Sequence, residues 1–165
     1  NIQKMAERSR LGIPVTLASD PRHAAGDNPG ANVTTTSFSH WPTPLGLAAT
    51  RDTVLVREFA DIARQEYLSV GIRLALHPMA DLATEPRWGR INGTFGEDAD
   101  LSAAMTKAYI LGFQGDSLGA HSVACMTKHF AGGGSGSNST VLSVPTGTSF
   151  RTVLSVPGEV GEWNN

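Results

Sequence analysis

Three short apolar runs, each of a length typical of a β-strand, recur along the sequence. They occupy residues 13–18, 72–76 and 123–126. The first is rich in β-branched residues and carries Pro14 near its start, where a missing N–H does least harm to a strand. The last contains no charged or hydroxyl-bearing residue and therefore predicts a strand that is buried on both faces.

Between these runs, apolar residues return at close to 3.6-residue spacing, which predicts two amphipathic helices. The first helix follows Asp52 and stops at Gly71. The second follows Asp98 and is closed by Gly112 and Gly115. The end of a further helix is predicted over residues 2–10. The apolar stripes are Leu55, Phe59, Ile62 and Tyr67 in the first helix and Leu101, Met105, Ala108 and Leu111 in the second.

Strands and helices alternate, a pattern that predicts an α/β fold with a parallel sheet built through right-handed crossovers. About three βα units are visible. Residues 21–49 depart from this pattern, since Gly, Pro, Asn, Thr and Ser dominate there. The prolines of this stretch, among them Pro44, are expected to block regular structure. We therefore expect a long loop, packed onto the rest of the protein by Phe38 and Trp41.

The composition fits one globular domain with a neutral or small-molecule ligand. The chain has 165 residues, of which 40% are hydrophobic, so a core can form. The 13 basic and 15 acidic residues give a net charge of −2 without a run of either sign. This charge pattern does not suggest a nucleic-acid footprint or a polybasic membrane anchor, and we expect neither partner. No apolar stretch approaches about 18 residues, so we expect no membrane partner either.

The sequence predicts neither a metal site nor a cofactor. Its 5 histidines show no metal-ligand spacing, and no zinc is expected. The one cysteine, Cys125, lies inside an apolar run, which favours a place in the core over the role of a nucleophile.

Polar side chains follow all three predicted strands. Asp20 follows the first, His77 and Asp81 follow the second, and Lys128 and His129 follow the third. Ligands of parallel α/β proteins bind at the carboxyl edge of the sheet, so this placement predicts a site. Two alternatives stay open, namely Asp20 as a cap and His129 as a satisfied core histidine. Lys128 favours a site, because a lysine at the end of a buried strand needs an anionic or polar partner.

Four segments stand out in order along the chain: LGIPVTLASDPRH, PLGLAATRD, ADLATEPRWGRINGTFGED and KHFAGGG. Together they resemble the N-terminal part of the catalytic domain of glycoside hydrolase family 3, the β-glucosidase type, over residues 1–134. The resemblance implies a partial (β/α)8 TIM-like barrel. It also implies a retaining hydrolase that acts on the non-reducing terminal sugar of β-glucosides or oligosaccharides.

By the resemblance, the substrate-binding residues are Asp20, Arg90, Lys128 and His129. Arg90 is the last arginine of PRWGR, and the other two cations are adjacent. An aspartate accepts hydrogen bonds from sugar hydroxyls, whereas arginine, lysine and a histidine N–H donate to them. The alternative for Arg87 and Arg90 is that both are solvated loop charges.

The resemblance places no catalytic residue in this chain. Retaining hydrolysis needs a nucleophilic carboxylate and an acid/base carboxyl, and the family carries both beyond the Lys-His pair. We therefore expect the chain alone to be inactive and to depend on the missing C-terminal part of its own domain. Two alternatives stay open: a non-catalytic remnant or interaction module, and an N-acetylhexosaminidase-type member of the same family.

The pattern changes after Gly134. The following segment is rich in Gly, Ser, Thr and Val, and TVLSVP occurs twice, at 140–145 and 152–157. We therefore divide the chain into a partial barrel domain over residues 1–134 and a tail over residues 135–165, as in a truncated or frame-shifted product. Family members are often periplasmic or secreted, and no leader is visible here, so no compartment is assigned.

Overall fold

A parallel sheet of three short strands organises the part of the chain that the computed structural model describes, namely residues 2–20, 23–24 and 37–129. The strands pair in chain order and are β1 (Ala18–Ser19), β2 (Leu74–Ala75) and β3 (Ala124–Cys125). Ala18 lies opposite Leu74, and Ala75 lies opposite Cys125. The expected parallel α/β sheet is therefore confirmed. The predicted tail over residues 135–165 lies outside the described residues.

The two longest helices in the described residues are those that the apolar stripes predict. The helices are α1 (Ile2–Glu7), α2 (Pro44–Ala49), α3 (Thr53–Ser69) and α4 (Ala99–Gln114), and a 3₁₀ turn covers Ile91–Gly93. Asp52 caps α3 by accepting from the backbone N–H groups of Val54 and Leu55 at 2.9 and 3.0 Å. Asp98 caps α4 by accepting from the Leu101 N–H at 2.8 Å. Within the described residues, no helix combines the length and apolarity that crossing a membrane requires.

The first strand is shorter than the apolar run that predicts it, because pairing covers only the end of that run. Ile13 is 65% exposed. The backbone of Val15 exchanges two hydrogen bonds with the side chain of Gln3 in α1, at 2.8 and 3.0 Å. Pairing with β2 begins at Leu17, whose carbonyl accepts from the Leu74 N–H. The early part of the run is therefore held by a helix side chain and not by the sheet.

The expectation that the last apolar run is buried on both faces is wrong. Val123 is buried, Cys125 is half-buried and Met126 is 50% exposed. Within the described residues β3 pairs with β2 alone, so its other edge has no strand beside it. Burial therefore falls along the run, although its composition suits an interior strand.

The expectation that Pro44 blocks regular structure is also wrong. Helix α2 begins at this proline, and the Thr43 side chain caps the helix by accepting from the Gly46 N–H at 3.3 Å. A proline in the first turn removes an N–H that has no intrahelical partner, so it suits a helix start. The predicted long loop therefore ends at a short helix.

Helices α3 and α4 pack against each other and form much of the core. Gly112 lies inside α4, so the expectation that it helps to close this helix is wrong, and only Gly115 lies at the helix end. Gly112 instead lies at the contact, where a Cβ would overlap Ala60 and lie 2.5 Å from the carbonyl oxygen of Arg57. The rings of Tyr109 and Phe113 stack beside it with centroids 4.8 Å apart. The glycine thus permits a close approach of the two helices.

A polar network fastens the loop after β1 onto α3. Glu66 Oε2 lies 2.8 Å from His23 Nε2, and Glu66 Oε1 accepts from the Ser39 N–H at 2.8 Å. Trp41 Nε1 donates to Ser39 Oγ at 2.9 Å, and the Phe38 ring stacks on His23 at 5.4 Å. Burial lowers the pKa of His23, although the contact with Glu66 opposes this shift. The expected packing of Phe38 and Trp41 onto the core is confirmed.

Candidate functional site

Asp20, His77 and Lys128 follow the carboxyl ends of β1, β2 and β3, and they meet at one atom. The Lys128 ammonium donates to Asp20 Oδ1 at 2.6 Å, and His77 Nδ1 lies 3.1 Å from the same oxygen. Asp20 and His77 are both buried. Two of the expected site residues, Asp20 and Lys128, are therefore in direct contact. Asp20 makes contacts across the sheet and does not serve as a cap within the described residues.

Asp20 is held as a carboxylate. Burial by itself raises its pKa, but the hydrogen bonds and charges of His77 and Lys128 outweigh burial, so the net pKa lies below the ordinary value of 3.8. Both donors reach Oδ1, and no donor among the described residues contacts Oδ2. Asp20 therefore presents an ionised oxygen that can accept hydrogen bonds from a ligand.

The backbone ladder continues beyond the strands and positions Lys128. Its N–H donates to the Pro78 carbonyl at 2.9 Å, and its carbonyl accepts from the Ala80 N–H at 2.6 Å. Met79 pairs with Lys128 in an isolated parallel bridge. Between the last strand pair and this bridge, the β2 side carries one more residue than the β3 side. As in a β-bulge, the extra residue re-aims the side chains near it.

His129 is oriented by Asp81, which lies after β2. Asp81 Oδ2 accepts from the His129 N–H at 3.2 Å and lies 2.9 Å from His129 Nδ1. The Asp81 side chain is fully buried, whereas 41% of the His129 side chain is exposed. His129 is thus not a core histidine. A carboxylate beside Nδ1 keeps the proton on that nitrogen and leaves Nε2 for another partner.

The two arginines of the PRWGR segment differ in their contacts. Arg87 is 89% exposed in its side chain and pairs with Glu85 at 2.8 Å. The hydrogen bond from Arg87 lowers the pKa of Glu85 to about 2. Arg90 is also exposed, and its Nη2 lies 3.5 Å from the Met79 sulfur. Among the described residues no carboxylate pairs with Arg90. Its guanidinium can therefore donate to a ligand, and it lies next to Met79, the bridge partner of Lys128.

The described residues contain no group of three or more His, Cys, Asp or Glu side chains arranged to hold a metal ion. Burial raises the pKa of the half-buried Cys125 to about 12. A thiol with so high a pKa is not ionised at neutral pH, and the thiolate is the nucleophilic form. Cys125 is therefore a neutral thiol that packs, partly buried, against the core.

The contact between His77 and Asp20 was not predicted, although the position of His77 after a strand singled it out. Strand order and the direction of the sheet place a residue at an edge, but they do not say which side chains touch. The same holds for Asp81, whose position after β2 was noticed and whose partner was not. In both cases the useful signal is a polar residue within a few positions of a strand end.

A parallel α/β sheet with a carboxylate and a cation in contact at its carboxyl edge places the chain among the parallel α/β proteins, in which ligands bind at that edge. The sequence profile described as "Glycosyl hydrolase family 3 N terminal domain" matches residues 1–154. The chain therefore belongs to glycosyl hydrolase family 3, as its motifs indicated.

Known relatives agree with this assignment. Beta-glucosidase C of Emericella nidulans is 58% identical over 134 residues, which cover 81% of this chain and 22% of that protein. The β-glucosidase of Listeria innocua, crystallised with glucose, matches with a TM-score of 0.63 and 31% identity, over 78% of this chain and 17% of that one.

A third similar protein is the β-N-acetylhexosaminidase of Beutenbergia cavernae. Its structure matches with a TM-score of 0.60 and 25% identity, over 76% of this chain and 36% of that one. These structures confirm the expected partial (β/α)8 barrel. The chain spans about a fifth of the length of β-glucosidase C.

Proposed function

We propose that this chain supplies the sugar-binding part of a retaining β-glucosidase-like hydrolase. The observation that carries the proposal is the contact of Lys128 with Asp20 Oδ1, while no donor among the described residues contacts the second oxygen of this carboxylate. The structure of the Listeria innocua enzyme with glucose supports a sugar as that ligand. The substrate in this proposal is the terminal glucose at the non-reducing end of a β-glucoside.

The charges at the site suit a polyhydroxyl ring. A sugar hydroxyl both donates and accepts, so one ring needs acceptors and donors around it. In the proposed complex Asp20 accepts, Lys128 and Arg90 donate, and His129 offers Nε2, which accepts in the neutral ring and donates in the charged ring. Hydrogen bonds with an ionised partner are shorter and stronger than neutral ones, which makes this set effective for a neutral ligand.

We further propose that hydrolysis needs carboxylates from outside this chain. A retaining pair stands about 5 Å apart on either side of the glycosidic bond. The acidic residues near the site already have other partners: Asp81 holds His129 and Glu85 pairs with Arg87. In this proposal residues 1–134 carry the whole sugar site, and the tail over residues 135–165 contributes nothing to it.

Saturation-transfer difference NMR with glucose and micromolar amounts of the purified chain tests the binding proposal. We expect saturable transfer that Asp20→Ala abolishes and Arg87→Ala leaves unchanged, because Arg87 pairs with Glu85 and not with the ligand. Transfer that survives Asp20→Ala contradicts the assignment of the site. Stronger transfer to N-acetylglucosamine than to glucose favours the hexosaminidase alternative.

An activity assay tests the proposal that the chain alone is inactive. Hydrolysis of an aryl β-glucoside by the purified chain is expected to equal the buffer blank. Turnover above the blank by the wild-type chain contradicts this proposal.

A further inference from the structure

We propose that His77 is a positioning residue for Asp20, holding the carboxylate through Nδ1 so that Oδ2 is turned toward the bound sugar. The proposal rests on the proposed sugar-binding function and gives a role to a residue that the family motifs did not place in the site. His77 acts through Asp20, so it is not itself a catalytic residue.

The surroundings of the ring define where its proton lies. His77 Nδ1 is 3.1 Å from Asp20 Oδ1 and 2.7 Å from the Leu76 carbonyl oxygen. Both neighbours are acceptors, so Nδ1 must carry the proton whether the ring is neutral or charged. That single N–H is shared between the two acceptors, so His77 donates to the Asp20 carboxylate while it also donates to the Leu76 carbonyl.

His77 matters as a second donor to Asp20 because the first donor, Lys128, is flexible. Lys128 reaches Asp20 from the far end of a four-carbon stem, and its side chain is partly exposed. The terminal torsion of an aspartate is broad, so one donor on a mobile stem leaves the carboxylate plane loosely defined. The His77 ring is buried and lies directly after the central strand. A rigid donor from the segment after that strand fixes the plane of the Asp20 carboxylate, which Lys128 alone leaves loosely defined.

Among the described residues, two side chains donate to Asp20. His77 faces it from the segment after β2, and Lys128 faces it from the segment after β3. Tyr67 of α3 also lies close, and burial raises the pKa of its hydroxyl, so it is neutral. The acidity of Asp20 therefore reports on the His77 contact and on the Lys128 contact together.

Imidazole nitrogen NMR on the full wild-type chain tests the tautomer without any substitution. The proposal predicts that His77 carries its proton on Nδ1 at neutral pH. A ring protonated on Nε2 alone overturns the proposal, because Nδ1 is then no donor to Asp20.

Three variants of the full chain test the positioning role. Asparagine places its amide nitrogen near the position of Nδ1, and glutamine places its nitrogen near that of Nε2. We expect His77→Ala and His77→Gln to move the carboxyl titration of Asp20, followed by carbon NMR, toward its ordinary range. We expect glucose binding to weaken at least about tenfold in both, and His77→Asn to restore both properties.

The two readouts separate this proposal from the proposed function. If the wild-type chain binds no glucose, the sugar-binding function fails, while the titration of Asp20 still decides whether His77 acts on it. If glucose binds and His77→Ala changes neither the titration nor the affinity, the positioning role is overturned. An equal loss in His77→Asn and His77→Gln also overturns it, because a merely structural role does not distinguish the two nitrogens.

Discussion

Asp20 stays ionised in a buried position because two donors from neighbouring strands converge on one of its oxygens. The desolvation of a carboxylate is costly, and only such partners make the charged form the stable one. The same arrangement makes the folded state sensitive to acid, since protonating Asp20 removes the partner of Lys128. Binding chemistry and stability are thus linked at this residue.

The lowered pKa of Asp20 predicts a specific dependence of stability on pH. The folded state binds fewer protons here than the unfolded state, so the stabilisation is complete above the ordinary value of 3.8 and is lost as the pH falls below it. Urea unfolding between pH 6 and pH 3 should show this loss in the wild type. Asp20→Asn should lose less stability over the same range. Equal losses in the two proteins contradict the prediction.

The meeting of Asp20 with Lys128 was within reach of sequence reasoning, because the carboxyl ends of parallel strands are aligned at one edge. The contact of His77 with the same oxygen was not. It depends on the extra residue on the β2 side and on side-chain torsions, which no periodicity encodes. Arg90 is an intermediate case. The sequence predicted its place in a loop, but it did not predict that no carboxylate within the described residues pairs with it.

The packing of α3 against α4 depends on the absence of a side chain at Gly112. Alanine is normally preferred over glycine in a helix by about 1 kcal/mol. At this position the added methyl group would meet Ala60 and the backbone of Arg57. Two packed helices cannot separate at one point without losing contacts along their whole interface.

Gly112→Ala is therefore expected to destabilise the protein by about 1 to 3 kcal/mol, because overpacking outweighs helix propensity. Gly119→Ala is the matched control, since a Cβ at Gly119 meets nothing within 4 Å. Urea unfolding of both variants provides the measurement. A Gly112→Ala protein as stable as the wild type contradicts the close approach of the two helices.

The helices were predictable because their signals are local. Asp52 and Asp98 cap the helices they were expected to cap, and the apolar stripes lie within one element each. The strands were predicted too long because their pairing depends on neighbours far along the chain. Helix α2 was missed because Pro44 was interpreted as a breaker, whereas its position in the first turn favours a helix.

The described sheet has two outer edges with apolar residues beside them. Leu11 and Ile13 are exposed before β1, and Met126 is exposed after β3. Unpaired strand edges are templates for association with other chains. In the isolated chain, a strand of another molecule can pair with either of these edges and extend the sheet.

We therefore expect the isolated chain to self-associate as its concentration rises, which sedimentation velocity measures. Met126→Lys should shift the association to higher concentration, because Met126 lies at the end of the outer strand β3 and a charge on an edge opposes pairing. Val54→Lys is the control, since Val54 is also exposed but lies at the start of α3, away from the sheet. A monomer at all concentrations, or an equal effect of the two lysines, contradicts this expectation.

The sugar-binding assignment is tested most directly in a complete cleft. Residues 1–134 can replace the matching segment of Beta-glucosidase C from Emericella nidulans, with which this chain is 58% identical over 134 residues. We expect the graft to hydrolyse an aryl β-glucoside, and kcat/KM to fall at least about thirtyfold in Asp20→Ala and in Lys128→Ala, because each change leaves sugar hydroxyls or a charged partner unpaired. Arg87→Ala should remain close to the unmodified graft. The account is contradicted if kcat/KM falls strongly in Arg87→Ala but stays nearly unchanged in Asp20→Ala, with both variants as stable as the unmodified graft.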